Sequence, residues 1–140
     1  MTAQRKQLTR KLDKLWQQAV CAAGICERCG DIPAAGHHLI GRAHSWHRHN
    51  LSNGVALCVC CHGMAHDRPE EFHRWLATYD AGRYGYWLVN RHDGGGPVPM
   101  EVLGEWGRML REATGCTCGE INARHCPIHN ETTGQEVNDG

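Results

Sequence analysis

The sequence predicts an α+β chain: a small hairpin-and-helix core braced by a four-cysteine zinc site and flanked by an N-terminal helix and C-terminal helices. Three observations predict it. Two Cys-x-x-Cys knuckles, Cys26/Cys29 and Cys58/Cys61, bracket a 28-residue interval. Within that interval two short β-like runs, His37 to Ile40 and Val55 to Leu57, are joined by a long loop ending in the turn signal Asn53-Gly54. Outside it lie segments whose apolar residues recur at three- and four-residue steps, as on one face of a helix.

From Gln4 to Ala22 that recurrence runs through Leu8, Leu12, Leu15, Trp16, Ala19 and Val20, with Gly24 as the stop. The opposite face carries Arg5, Lys6, Arg10, Lys11 and Lys14, which is either a solvated face or a track for a phosphate backbone. The second knuckle opens a helix bearing His62 and His66. Pro69 starts another, with Glu70 and Glu71 in its first turn and Phe72, Trp75, Leu76 and Tyr79 as its apolar stripe. Tyr84 to Val89 reads as a strand or a packed loop. Gly94-Gly95-Gly96-Pro97 breaks the chain, and Pro99 to Ala113 forms a last helix before Gly115. The expected organisation is a basic helix over 1–24, a core over 25–68, a helical extension packed on it over 69–114, a small cysteine-rich knuckle over 115–130 and a disordered polar tail over 131–140.

The chain of 140 residues has a net formal charge of zero, but the two halves differ. Residues 1–66 hold eight Lys/Arg against three Asp/Glu, and residues 67–140 hold seven against twelve. The metal half is therefore basic, which is either the footprint of a nucleic-acid partner or ordinary surface variation, and four metal-bound thiolates would offset part of it. No stretch approaches the roughly 20 apolar residues of a membrane span, so no membrane partner is expected. The polar start of the chain and the nine cysteines point to metal ligation in the cytoplasm rather than to oxidised pairs.

Four thiolates at about 2.3 Å from one zinc would pin the two ends of the insert together. The register using Cys26, Cys29, Cys58 and Cys61 keeps both Cys-x-x-Cys spacings; Cys60 is the spare member, and Cys21 reads as a buried free thiol. Inside the insert, His62 and His66 stand four apart, one turn above the other on a helix, and can grip one ion. His37 or His38 can supply the third ligand and leave the other imidazole to take a proton from water. Phosphodiester hydrolysis requires a base that makes the nucleophile and a cation that stabilises charge on the phosphate. In the tail, Cys116, Cys118, Cys126 and His129 fall within 14 residues and could hold a second zinc.

The segment from Cys26 to about His66 resembles the HNH endonuclease family, the His-Asn-His nucleases with the ββα-metal fold, in its zinc-stapled branch. The resemblance rests on His37-His38, on Asn53 in Asn-Gly-Val-Ala-Leu-Cys, on His62 directly after Cys61, and on His66. Asn53 follows His38 by fifteen residues and precedes His62 by nine. It implies a metal-dependent endonuclease that hydrolyses DNA. His38 would be the general base, His37, His62 and His66 the ligands of a catalytic divalent ion, and Asn53 the residue that holds the loop and orients the base. Where the family often has Asp before the catalytic His, this chain has His37. The ion site therefore lacks a carboxylate and suits Zn²⁺, Ni²⁺, Co²⁺ or Mn²⁺ better than Mg²⁺.

Arg42, His47 and Arg48, together with Lys11 and Lys14, are the expected DNA contacts, with His44 and His49 in the same loop. A looser likeness, through His37-His38-Leu39-Ile40-Gly41-Arg42, Trp46, Pro69 to Leu76 and Tyr84-Gly85-Tyr86-Trp87, is to phage-encoded recombination nucleases. The competing readings are a non-catalytic zinc-bound DNA-binding module and a zinc-scaffolded protein-interaction domain. Either a monomer or a homodimer fits the sequence.

Overall fold

In a computed structural model of the protein, residues 2–32 and 35–114 are described. They form five helices and one two-stranded sheet, and the chain divides into two compact units. Among the described residues, one unit joins 2–19 with 99–114; the other comprises 20–32 and 35–98. Among the described residues no helix is long and apolar enough to cross a membrane.

The first unit contains α1 (Ala3–Val20) and α5 (Met100–Ala113). Each buries part of one apolar face: Leu12, Leu15 and Trp16 on α1, Leu103 and Leu110 with Gly107 on α5, where Met109 is exposed. Burying Trp16 and Leu12 completely contributes about 1.5–3 kcal/mol for each side chain.

The second unit is built on β1 (Ala35–His38) and β2 (Gly54–Leu57), paired antiparallel with His37 opposite Val55 and His38 opposite Gly54. Strand side chains alternate in direction, so His37 shares a face with the fully buried Val55 and Leu57, whereas His38 points to the other face. Gly54 brings no side chain to that second face. A 3-10 turn at Leu51–Asn53 leads into β2, and α2 (Val59–Asp67) follows it directly. Helices α3 (Pro69–Tyr79) and α4 (Ala81–Asn90) complete the layer over the hairpin. The core joins Cys26, Val55, Leu57, Cys58, Cys61, Met64, Phe72 and Leu76, with Trp75, Tyr84 and Trp87 packed against it.

The segment expected as a strand or packed loop, Tyr84 to Val89, is helical. Gly85 and the aromatic residues Tyr84, Tyr86 and Trp87, with Gly82 just before them, argue locally against a helix. The Asp80 side chain nevertheless caps α4 by accepting from the Arg83 amide at 3.1 Å, and Tyr84 and Trp87, three residues apart, settle on the core. Cys21, expected to be buried, is only half-buried.

The first knuckle is sewn to the sheet and to α4 at once. The Glu27 amide donates to the Ala56 carbonyl at 2.9 Å, and the Ala56 amide donates to Glu27 Oε2 at 2.8 Å. Arg83 then clasps the same carboxylate with Nη2 to Oε1 at 2.7 Å and Nη1 to Oε2 at 3.0 Å, and also donates to the Gly54 carbonyl. Burial opposes ionisation of Glu27, but Arg83 and the Ala56 amide outweigh it and hold the carboxyl below its ordinary range.

Candidate metal centre and active site

The Sγ atoms of Cys26, Cys29, Cys58 and Cys61 lie within 4.8 Å of one another, and Cys29 and Cys58 approach to 3.5 Å. A tetrahedral zinc with sulfur at about 2.3 Å sets sulfurs about 3.8 Å apart, so four-thiolate ligation needs little movement. Two local devices build the quartet. Gly30, at φ +81°, turns the first knuckle so that its amide meets the Cys26 carbonyl at 2.9 Å, a conformation that side chains disfavour. Cys58 is also the N-cap of α2, its sulfur accepting from the Cys61 amide at 3.4 Å, which places the positive end of the helix beside it.

The protonation preferences of the quartet favour a cation. Burial opposes ionisation of Cys26, yet the amides of Cys58, Cys29 and Arg28 draw its thiol down to about 6. Cys29 goes the other way: the Asp31 amide favours its thiolate, but the neighbouring sulfurs and burial push it up to about 12. Sulfurs this close cannot all carry charge unless a cation sits among them. The quartet can therefore hold a metal such as zinc. Arg28 Nη1 points at Cys61 Sγ from 3.7 Å and would offset part of the cluster's charge. Cys60 is exposed and outside the quartet.

A second group gathers one ligand nitrogen each from His37, His62 and His66, again within 4.8 Å of one another. His62 and His66 stack one turn apart along α2, with ring centroids 5.0 Å apart. His37 enters from β1, its ring edge-on to both at 5.0 and 5.1 Å and braced behind by Phe72 at 5.2 Å. Burial, reinforced by His62 and His66, pushes the His37 imidazole down to about 3. Burial and then His66 lower His62 as well. Neutral imidazoles are what a metal ion requires of its ligands. His37 is buried, His62 half-buried and His66 exposed, so an ion here would keep a side open to water or substrate. Nitrogen donors without a carboxylate fit the borderline divalent ions named above.

His38, on the opposite face of β1, places Nε2 2.9 Å from the backbone carbonyl of Arg48. A carbonyl only accepts, so Nε2 carries the proton and the basic lone pair of the neutral ring lies on Nδ1. Asn53 is completely buried and fastens the loop that supplies this carbonyl. Its Oδ1 accepts from the Ile40 amide at 2.7 Å, and its Nδ2 donates to the carbonyls of Ile40 at 3.0 Å and His47 at 2.9 Å. It thus touches the backbone one residue before Arg48, and its own carbonyl accepts from the amide of Leu39, the residue after His38, at 2.9 Å.

Arg42 is exposed and Arg48 half-buried in the same loop, while Lys11 and Lys14 are half-buried on α1, in the other unit. His47, expected as a DNA contact, is 8% exposed, bonded through Nδ1 to the Tyr86 hydroxyl and through Nε2 to Asp93 Oδ2 at 3.0 Å. His49 is buried too. The Cys116, Cys118, Cys126 and His129 cluster lies outside the described residues.

Reading the sequence alone misses the side chains that fasten the site: Glu27 with Arg83, and Tyr86 with Asp93. Only the Asp80-Ala81 junction carried a local signal, an N-cap residue ahead of a run with aromatic residues three apart. Comparison of the chain with models of known protein families, with curated proteins and with solved structures returns no match.

Proposed function

We propose that the chain is a metal-dependent endonuclease of the HNH type that hydrolyses DNA phosphodiester bonds. One observation carries the reading: three imidazoles gather their ligand nitrogens within 4.8 Å while a fourth, on the adjacent residue of the same strand, is held by a backbone carbonyl in the tautomer of a base.

In this reading His38 Nδ1 accepts a proton from a water molecule, the water oxygen attacks phosphorus, and the bond to the leaving oxygen breaks in line. A divalent ion held by His37, His62 and His66 would neutralise charge on the phosphate and its leaving oxygen. The leaving oxygen takes up a proton from water, and His38 returns its own proton to solvent, which balances the hydrolysis. The cysteine quartet, with zinc, ties Cys26–Cys29 to the start of α2 and so fixes the helix from which His62 and His66 project. The exposed Arg42 and half-buried Arg48 supply positive charge for the DNA backbone.

The test is nicking of supercoiled plasmid by zinc-loaded protein across a panel of divalent ions. The proposal predicts nicking that chelation stops and that Mn²⁺, Co²⁺, Ni²⁺ or Zn²⁺ restores. DNA binding without nicking by any of these ions would favour a binding module instead.

A further inference from the structure

The loop between the strands is tied to the end of α4 more firmly than its sequence suggests. His47 Nε2 meets the Asp93 carboxylate at 3.0 Å, and a carboxylate only accepts, so Nε2 is the donor there. Nδ1 is hydrogen-bonded to the Tyr86 hydroxyl, whose ring stands edge-on at 5.5 Å. Burial and the nearby Asp93 raise the Tyr86 phenol, which keeps its hydroxyl protonated. Two further contacts join the same partners. His44 Nδ1 bonds the Asp93 carbonyl at 2.9 Å, and Trp46 lies so close to Gly95 that a Cβ there would stand 2.8 Å from its ring.

His47 is thus gripped twice, its side chain by Tyr86 and Asp93 and its carbonyl by Asn53. The next carbonyl along, that of Arg48, is the acceptor for His38 Nε2. A loop of this length would wander on fast timescales unless anchored, and with it the acceptor that selects the His38 tautomer. We infer that Tyr86, Asp93 and His47 form a positioning clamp that holds the Arg48 carbonyl against His38 and thereby keeps the lone pair of His38 on Nδ1. This deepens the nuclease reading and rests on it for its catalytic consequence, though not for its structural one.

The inference is tested with Tyr86→Phe and Asp93→Ala in the full zinc-loaded chain. Tyr86→Phe retains the ring packed on His47, and Asp93→Ala trims a half-exposed side chain while leaving the backbone carbonyl that His44 bonds, so each removes one side-chain bond of the clamp. Long-range ¹H–¹⁵N correlation of the histidine rings, with His38 assigned by its absence in His38→Ala, reads the tautomer directly. Wild type should show the Nε2–H form, and both variants a mixture with the Nδ1–H form. In DNA cleavage both should lose kcat by about tenfold, the equivalent of one hydrogen bond, with KM within about twofold. A His38 ring that stays in the Nε2–H form in both variants, or kcat that does not fall, overturns the clamp. If wild type cleaves no DNA under any ion, the nuclease reading fails, and the tautomer measurement still decides the clamp.

Discussion

Arg83 and Glu27, 56 residues apart in sequence, meet in a two-pronged ion pair of 2.7 and 3.0 Å that locks the first cysteine knuckle to α4. Both side chains are about one-fifth exposed, at 19% each. Removing one partner strands the other's charge beside the sheet. Arg83→Ala is expected to destabilise the protein by about 2–4 kcal/mol in denaturant unfolding. A loss below about 0.5 kcal/mol would place the pair with ordinary surface bridges.

Cys58 has two duties, as a sulfur of the quartet and as the cap of α2. Cys58→Ser should lose bound zinc and cooperative unfolding together, at a cost on the order of several kcal/mol. Cys60→Ser, two positions on and exposed, should leave both unchanged. Zinc content by elemental analysis with thermal melts distinguishes them, and equal loss in the two variants would move the quartet's register.

Asn53 satisfies three buried backbone groups that have no solvent to turn to. Asn53→Ala should cost about 2–4 kcal/mol in unfolding free energy. It should also depress cleavage, because the Arg48 carbonyl loses its support. A variant of unchanged stability would show that water replaces the amide.

The pH dependence follows from His37. Its imidazole is held down to about 3 in the fold, chiefly by burial, against 6.5 ordinarily. Between these values the unfolded chain binds the extra proton, so the contribution is full above pH 6.5 and is lost as pH falls toward 3. His62, lowered by burial and by His66, adds in the same direction. In protein given one zinc per chain for the cysteines, thermal melts should fall on acidification from pH 6.5, and His37→Gln should reduce that slope. A slope identical in the two proteins would contradict the assignment.

The metal clusters were legible in the sequence because their information is local: knuckle spacing fixes which sulfurs converge, and the i, i+4 spacing fixes that His62 and His66 share a helix face. The hairpin was legible through Asn53-Gly54 and the apolar run Val55 to Leu57 after it. Helix α4 was not, since its glycines and aromatic residues disfavour a helix until Asp80 caps it and the core accepts Tyr84 and Trp87. The partners of His47 were not legible either, for a related reason. A histidine among arginines looks like a DNA contact, and nothing nearby in sequence announces Tyr86 and Asp93, 39 and 46 residues on. Partners that far along the chain are set by packing, which spacing alone does not encode.

In the proposed reaction, His38 deprotonates water beside an ion held by three other histidines. Single-turnover cleavage of plasmid DNA by His38→Ala, matched to wild type in zinc content and thermal stability, isolates that step. A base of this kind contributes about 10²- to 10⁴-fold, and the variant's rate should fall by at least the lower figure with DNA affinity retained. A rate within about threefold of wild type, well short of that range, would contradict it.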